Sequence, residues 1–447
     1  MNDHSQKLER SKDLFQRARK YIPSGTSNLN ICPGKPRYIV RGDGSRVYDV
    51  DGNEYTDFSC HWTTLVHGHN REVISAAKEA VGRGPALSFF CEAEYDLAKL
   101  ICEAVPSVDQ IKFANTGSAA IELALACAFA VTGRPNIAKL DGTYHGSSLL
   151  QYFNVATTEG PEHAPLAAEQ SKHTPEHIRN SVVIVPGHSL TETEALLRKH
   201  GKDLACVLVD LNPRHLCALP LPKDYVDMLR RVTKELGVLL IVDEVVSFRL
   251  SPEGAQKRYG LTPDLTVFGK IIGGGFPIGA VGGRKEFMAV FEHEVGAPPE
   301  VPIFGTFTAN PVSMSAGLAA MRLLKPASYD HLNRLGDLVR SELTKVLWDV
   351  GVVGSITGVG SIFSVNIMRK APTPGDCRTL HSVTDAERTV KNKLHEYMFD
   401  HGFMFDQPFY GCTSTALVES DVERMAATFK SGLLALRDDK EFQAIVK

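Results

Sequence analysis

The residue with the most chemistry to offer is Lys270, in the run Asp264-Leu-Thr-Val-Phe-Gly-Lys270-Ile-Ile-Gly-Gly-Gly-Phe-Pro-Ile-Gly-Ala280, where it directly follows an apolar strand-like stretch. Burial disfavours an ammonium ion and lowers its pKa, which makes the amine a nucleophile able to form a Schiff base. The plainer alternative is a lysine leaving the sheet for water, as most lysines do. Asp243 closes another apolar run, Val238-Leu-Leu-Ile-Val-Asp243. A carboxylate there could hold a protonated ring nitrogen and make the ring an electron sink; alone, it reads equally as a helix cap or an ion-pair partner. Asn115-Thr-Gly-Ser-Ala119 ends a third run and opens a helix. The backbone N–H groups of Gly117 and Ser118, with the Ser118 hydroxyl, suit a phosphate at the positive end of a helix dipole. Tyr144-His145-Gly146 follows a fourth run and adds an aromatic face. Amine, carboxylate, phosphate cup and stacking ring together form the set that pyridoxal 5′-phosphate requires.

These groups act together only if the chain brings them to one place. From about residue 71 to 324, short apolar runs alternate with helical patterns. Strands are expected at Gln110–Ala114, Asn136–Leu140, Ser181–Val185, Ala205–Asp210, Val238–Asp243 and Leu265–Phe268. Their apolar residues are continuous rather than alternating, as in a mostly parallel sheet covered by helices on both faces. Ligands of such sheets sit at the carboxyl ends of the strands. Residues 1–70 read as a helical arm and a small antiparallel sheet, with Asp-Gly pairs at its turns, and residues 325–447 as a smaller α/β lobe. The polar, proline-containing stretch from Ser147 to Arg179 reads as a mobile lid or an ordinary surface loop.

Over nearly the whole chain, from Tyr48-Asp-Val-Asp-Gly-Asn-Glu-Tyr-Thr-Asp-Phe58 to the last lobe, the sequence resembles the class III aminotransferases of fold type I. Within them it is most similar to glutamate-1-semialdehyde 2,1-aminomutase and to aminotransferases of β-phenylalanine and D-phenylglycine. The resemblance implies a pyridoxal-phosphate transferase with a mostly parallel seven-stranded sheet. It implies that Lys270 forms the internal aldimine, that Asp243 pairs with the pyridine nitrogen, and that Val245 and Tyr144 press on opposite ring faces, with His145 beside them. Phe304-Gly305-Thr306 matches a segment whose threonine reaches the phosphate of a neighbouring subunit, which implies a homodimer with Thr306 acting in trans. Trp62 matches an aromatic residue of the substrate pocket. The expected reaction is ping-pong transfer from an amino acid or amine, preferably with an aromatic or apolar side chain, to a 2-oxo acid. The alternative is an aminomutase or racemase with the same cofactor.

The chain departs from the family pattern where a substrate would bind. Ala119 stands in place of a glutamate, and Asp210-Leu211-Asn-Pro-Arg-His215 in place of a Glu-Pro pair and its sequel. Pro23-Ser-Gly-Thr-Ser-Asn-Leu-Asn30 lacks the arginine that anchors the aminomutase substrate, and Gln407-Pro-Phe-Tyr-Gly-Cys412 lacks a charged substrate residue. Arg214, just past a strand end, is the candidate carboxylate anchor, with a surface arginine as the plain alternative. Phe89 and Phe90 read as pocket aromatics or as core.

Composition narrows the partners. Lys+Arg 49 against Asp+Glu 52 gives a net charge of −3, without the basic excess that nucleic acid recruits. No apolar run approaches the ~20 residues of a membrane span. Nine cysteines without a Cys-x-x-Cys pair read as reduced thiols of a cytoplasmic protein. His173 and His177 are spaced i, i+4, but Pro175 lies between them and no third ligand is near, so no metal is expected.

Overall fold

The computed structural model describes residues 7–27, 35–155, 157–293, 296–302, 305–407 and 409–446. The chain divides into two compact units, one of Met1–Arg71, His331–Ala371 and Val383–Lys447, the other of Glu72–Asp330 and Pro372–Ser382.

In the first unit, β1 (Ile39–Asp43), β2 (Arg46–Asp49) and β3 (Glu54–Asp57) form an antiparallel meander. Gly44 at φ +57° and Gly52 at φ +90° make its turns, in a region of backbone space where a side chain is costly.

The second unit carries a seven-stranded sheet of β4 (Gln110–Ala114), β5 (Asn136–Leu140), β6 (Val182–Val185), β7 (Leu204–Val209), β8 (Leu239–Asp243), β9 (Leu265–Gly269) and β10 (Gly279–Gly283). The spatial order is β4-β10-β9-β8-β7-β5-β6. The pairs β9–β8, β8–β7, β7–β5 and β5–β6 are parallel, while β10 runs antiparallel to β9 and β4. Alternation sorts the continuous apolar runs onto two faces. Cys206, Leu208 and Ile241 join the cluster built on the helix Gly117–Thr132. Val207, Val209, Leu240 and Val242 join the cluster built on the helix Lys223–Leu236. Both faces are buried, which is why neither strand alternates with polar residues.

β10 was not among the strands expected from the sequence, because Gly-Ala-Val-Gly-Gly has weak strand propensity. Its glycines answer to packing. A Cβ on Gly279 would collide with the carbonyl of Thr116, and one on Gly282 would lie 2.6 Å from Val108 Cγ1. β10 can therefore lie against the start of the helix Gly117–Thr132 only because Gly279 lacks a side chain.

The rest of the first unit follows: β11 (Ser355–Thr357), β12 (Ile362–Asn366), β13 (Phe403–Met404) and β14 (Tyr410–Cys412). β13 adds to β3 in parallel, and β11-β12-β14 make a separate sheet. Phe58, Phe363 and Phe405 stack at the centre of this unit's core.

The Ser147–Arg179 stretch is not a free lid at its base. Gln151, Phe153 and Asn154 are fully buried, and Phe153 and Glu169 pair as an isolated bridge. The Asn154 amide donates to Asp141 Oδ1 at 2.7 Å and accepts from the Ala168 N–H at 2.6 Å. Polar residues here are spent on internal hydrogen bonds rather than on solvation.

A pair of glycine variants tests the packing account. Gly279→Ala must displace the Thr116 backbone and should lower Tm by several degrees. Gly82→Ala, in the helix Arg71–Arg83 with nothing within 4 Å of the added carbon, should stabilise by about 0.5–1 kcal/mol. Calorimetry that found both variants equal would remove the packing explanation of β10.

Candidate active site at the carboxyl ends of the parallel strands

Lys270 and Asp243 leave neighbouring parallel strands at the same edge. In the β8–β9 register Asp243 stands opposite Val267, and β9 continues to Gly269 before delivering Lys270. Lys270 is half-buried and takes φ +51°, the left-handed region that costs a non-glycine residue about 1–2 kcal/mol. Val245 fills the space between these segments. Its methyls would lie 3.2 Å from a Cβ on Gly117 and 3.3 Å from one on Gly269. Those two glycines therefore leave room for Val245 at the mouth of the sheet.

Asp243 is held at both oxygens. Oδ1 accepts from the Val245 N–H at 3.0 Å, and Oδ2 lies 2.8 Å from His145 Nδ1. A carboxylate only accepts, so Nδ1 carries the proton. His145 is fully buried, and loss of hydration holds its pKa below the usual value against the pull of Asp243. Its other nitrogen lies 3.1 Å from Thr143 Oγ1, whose hydroxyl is also 2.7 Å from the Leu140 carbonyl.

The helix Gly117–Thr132 begins at this edge. The Thr116 side chain caps it by accepting from the Ala119 N–H at 3.1 Å, and the Ala120 N–H goes to the Thr116 carbonyl. The helix itself uses neither the Gly117 nor the Ser118 N–H, which leaves two donors at its positive end. Gly146 packs so tightly on Ser118 that a Cβ would lie 2.7 Å from the hydroxyl and would collide with Gln151 Oε1. Such a cradle of glycines and unspent N–H groups fits an anion.

Tyr144, 42% exposed, sits among Ser118, Asp243 and Arg214, and burial raises its pKa. Its ring meets that of Tyr152 at 6.2 Å and that of His215 at 5.5 Å. Arg214 is half-buried in the turn after β7, next to His215. His215 is exposed, and partial loss of hydration with the charges of Arg214 and Lys139 lowers its pKa.

Several of these participants were not singled out in the sequence. Asp210 ends the run beside Asp243, since Val209 and Val242 are register partners. Burial and the Asp243 charge hold its carboxyl well above the normal range. Asn212 is 1% exposed, and neither its amide oxygen nor its nitrogen has a hydrogen-bond partner. Lys139, 0% exposed, points from the middle of β5 into the loop that carries Tyr144 and His145. Lys139 had a legible signal, a charge inside an apolar strand; Asp210 and Asn212 stood out only as departures from the family pattern.

Trp62 belongs to the first unit, in a turn where Cys60, His61, Trp62 and Thr63 have φ of 46°, 48°, 56° and 69°. Asp57 Oδ1 clamps this left-handed turn by accepting from the N–H groups of Ser59 and Cys60, each at 2.9 Å, and the Ser59 hydroxyl donates to Asp406 at 2.6 Å. Thr306 is exposed in the second unit, beside Phe307, which is 63% exposed; Phe304 lies outside the described residues. Asn28, Leu29, Asn30 and Pro408, in the two segments where family anchors are replaced, also lie outside them. Phe89 and Phe90 are exposed rather than core, at 85% and 91%. Among the described residues, no group of His, Cys, Asp or Glu could hold a metal ion.

The Asp210 proton yields a test with a definite sign. A carboxyl whose folded pKa is raised makes the protein less stable as pH rises above about 3.8, the unfolded value, towards the folded one. Asp210→Asn mimics the protonated form at every pH. Its Tm should exceed that of the wild type at pH 8, and the gain should vanish towards pH 4. A constant or negative difference across that range would place the proton elsewhere.

Comparison with known proteins gives the family of the chain. Residues 33–395 match the family described as Aminotransferase class-III. A glutamate-1-semialdehyde 2,1-aminomutase of Persephonella marina is 36% identical over 367 residues, covering 80% of this chain and 83% of its own. The crystal structure of an omega-transaminase from Sphaerobacter thermophilus superposes with a TM-score of 0.92 at 38% identity, covering 98% of this chain and 100% of its own. A β-phenylalanine aminotransferase from Variovorax paradoxus gives 0.85 at 28% identity, covering 96% and 94%. The chain belongs to the class III aminotransferases, and it is a pyridoxal-phosphate-dependent enzyme of fold type I.

Proposed function

We propose that this enzyme is an aminotransferase in the narrow sense, moving an amino group from an amino acid or amine with an aromatic or apolar side chain to a 2-oxo acid. The observation that carries the reading is the convergence of Lys270 and Asp243 on one sheet edge, beside the unspent N–H groups of Gly117 and Ser118. Bound pyridoxal 5′-phosphate supplies an electron sink for the charge left on a substrate carbon.

The residues have separate tasks in this reading. Lys270 holds the cofactor covalently, and its released amine takes and returns the proton of the substrate carbon. Asp243 keeps the ring nitrogen protonated, and His145 orients Asp243 through the Nδ1 bond. Gly117 and Ser118 hold the phosphate, while Val245 and Tyr144 bracket the ring. Arg214 takes a substrate carboxylate, for which a guanidinium fork is suited, and Trp62 offers an aromatic contact. The likeness to the omega-transaminase and to the β-phenylalanine aminotransferase supports the choice of donor.

A homodimer completes the proposal. Phe89, Phe90 and Phe307 are exposed in the unit that carries Thr306, and the Asn310 amide ties their two segments by donating to the Pro85 carbonyl at 3.1 Å. An exposed aromatic patch of this kind calls for cover. A second copy that covered it would place Thr306 near the neighbour's phosphate. No nucleic acid or membrane enters the reading: the net charge is −3, and among the described residues no helix is long and apolar enough to cross a membrane. A cytoplasmic location accords with the free thiols.

The second reading is an aminomutase, favoured by the 36% identity to the Persephonella marina protein. An aminomutase needs no separate amino acceptor, so a screen of donors with and without pyruvate or 2-oxoglutarate separates the two. Acceptor-dependent turnover is expected, and acceptor-independent isomerisation would replace the first reading. Lys270→Ala should lose both turnover and the cofactor's absorption band at the edge of the visible. Asp243→Asn should keep the cofactor but turn over about 10²-fold or more slowly; unchanged kinetics would free Asp243 of its role.

A further inference from the structure

Lys139 is the one lysine among the described residues counted with the fully buried large side chains. It sits in β5 between Ala138 and Leu140, where an aliphatic residue would complete the apolar run. Its ammonium instead gives its three N–H groups to three backbone carbonyls: Thr143 at 2.6 Å, Gln151 at 3.3 Å and Phe153 at 2.5 Å. Three donors meet three acceptors, and no other side chain supplies three at one point. Those carbonyls belong to buried residues of one loop, where each unpaired one would cost about 1–3 kcal/mol.

The loop so gathered touches both halves of the cofactor cradle. From Thr143, the hydroxyl lies 3.1 Å from His145 Nε2, and His145 reaches Asp243 at 2.8 Å. From Gln151, the side-chain amide donates to the Ser118 carbonyl at 3.2 Å, at the mouth of the helix Gly117–Thr132. The Ser147 N–H donates to the Ser118 hydroxyl at 3.3 Å.

We propose that Lys139 is a positioning residue that couples the two halves of the cradle, setting the His145–Asp243 arm and the Ser118 cup in register by gathering the loop between them. The inference rests on the proposed function, which makes Asp243 the ring-nitrogen partner and Ser118 the phosphate partner. Lys139 touches neither cofactor nor substrate in this account. Burial pulls its pKa down to about 7 against the charge of nearby Asp141, and the Lys139 charge in turn lowers the pKa of His145 and of His215.

The test uses pyridoxine 5′-phosphate, an alcohol that cannot form an imine with Lys270, as the binding probe for the full-length apoprotein. Lys139→Met removes all three donors at similar volume, and Lys139→Gln keeps two. Loss of an outer partner of a binding group commonly costs about 10–100-fold in affinity. The expected order of affinity is wild type, then Gln, then Met, with Lys139→Met weaker by about tenfold or more. A purely structural lysine would lower Tm in both variants without this grading by donor number. A folded Lys139→Met that binds within about twofold of wild type, or a Gln variant no tighter than Met, would overturn the proposal. Should Lys139→Met not fold, Lys139→Gln decides against the wild type: weaker binding supports the coupling and equal binding removes it. Failure of the wild-type apoprotein to bind the probe would instead strike at the function proposed for the site.

Discussion

Strands that run parallel give up their carboxyl ends at one common edge, and the site depends on that constraint. β5, β7, β8 and β9 run parallel to one another, so the residues that follow them leave the sheet side by side whatever their separation along the chain. Lys270, Asp243, Asp210, Arg214 and Tyr144 come from four segments and owe their proximity to strand direction alone. The same geometry concentrates charge. Asp210 and Asp243 emerge as direct neighbours, and burial together with the Asp243 charge raises the pKa of Asp210. Crowding of acid groups at the edge thus follows from the topology that assembles the site.

The elements legible in the sequence were those with a local cause. β4 and β5 fall on the expected residues, because a continuous apolar run bounded by turn residues has few other uses. The helix Gly117–Thr132 begins within the Asn115–Ala119 turn expected to open it, its start set by the Thr116 cap and its end by Gly133 at φ +66°. β10 was missed because its glycines record what lies against them, the Thr116 carbonyl and Val108, and nothing in the pentapeptide names those partners. In the site, Lys270 and Asp243 were legible as polar residues at the ends of apolar runs. Asp210 was noticed only as a departure from a family pattern. Its character comes from a neighbour 33 positions away in sequence, and strand order is invisible to periodicity.

Buried charge in the second unit follows a consistent rule. Lys139 is matched by three carbonyls. Glu244, 0% exposed, accepts from the Ser247 hydroxyl at 2.5 Å and from the N–H groups of Ala255 and Gln256 at 3.0 and 2.9 Å. In each case the partners are mostly backbone groups of an irregular segment that leaves the sheet edge. A buried ion without partners is ruinous, but one whose capacity is filled organises the chain around it. The loops after β5 and β8, which hold Tyr144, His145 and Val245, are the ones organised in this way. Among the described residues the loop after β5 reaches no helix before Glu176, and the one after β8 has only the short helices Ser247–Leu250 and Gln256–Tyr259, so internal ions help to hold both.

Strain completes the argument. Lys270 and the four residues Cys60 to Thr63 take left-handed backbone without being glycine, at a cost of about 1–2 kcal/mol each. Such conformations persist only where the surroundings over-determine them. Around Lys270 the determinants are the extended Gly269 before it and the antiparallel β10 beside β9, which the next turn must reach. Around Trp62 they are the Asp57 clamp and the Ser59–Asp406 bond; burial and the Asp406 charge raise the Asp57 pKa to about 6. Folding alone has no use for strain at these places, since a glycine would remove it at either one. A glycine would also remove the side chain, and at Lys270 the amine is what the proposed chemistry needs, so the backbone cost is the consequence of keeping a lysine where the strand ends.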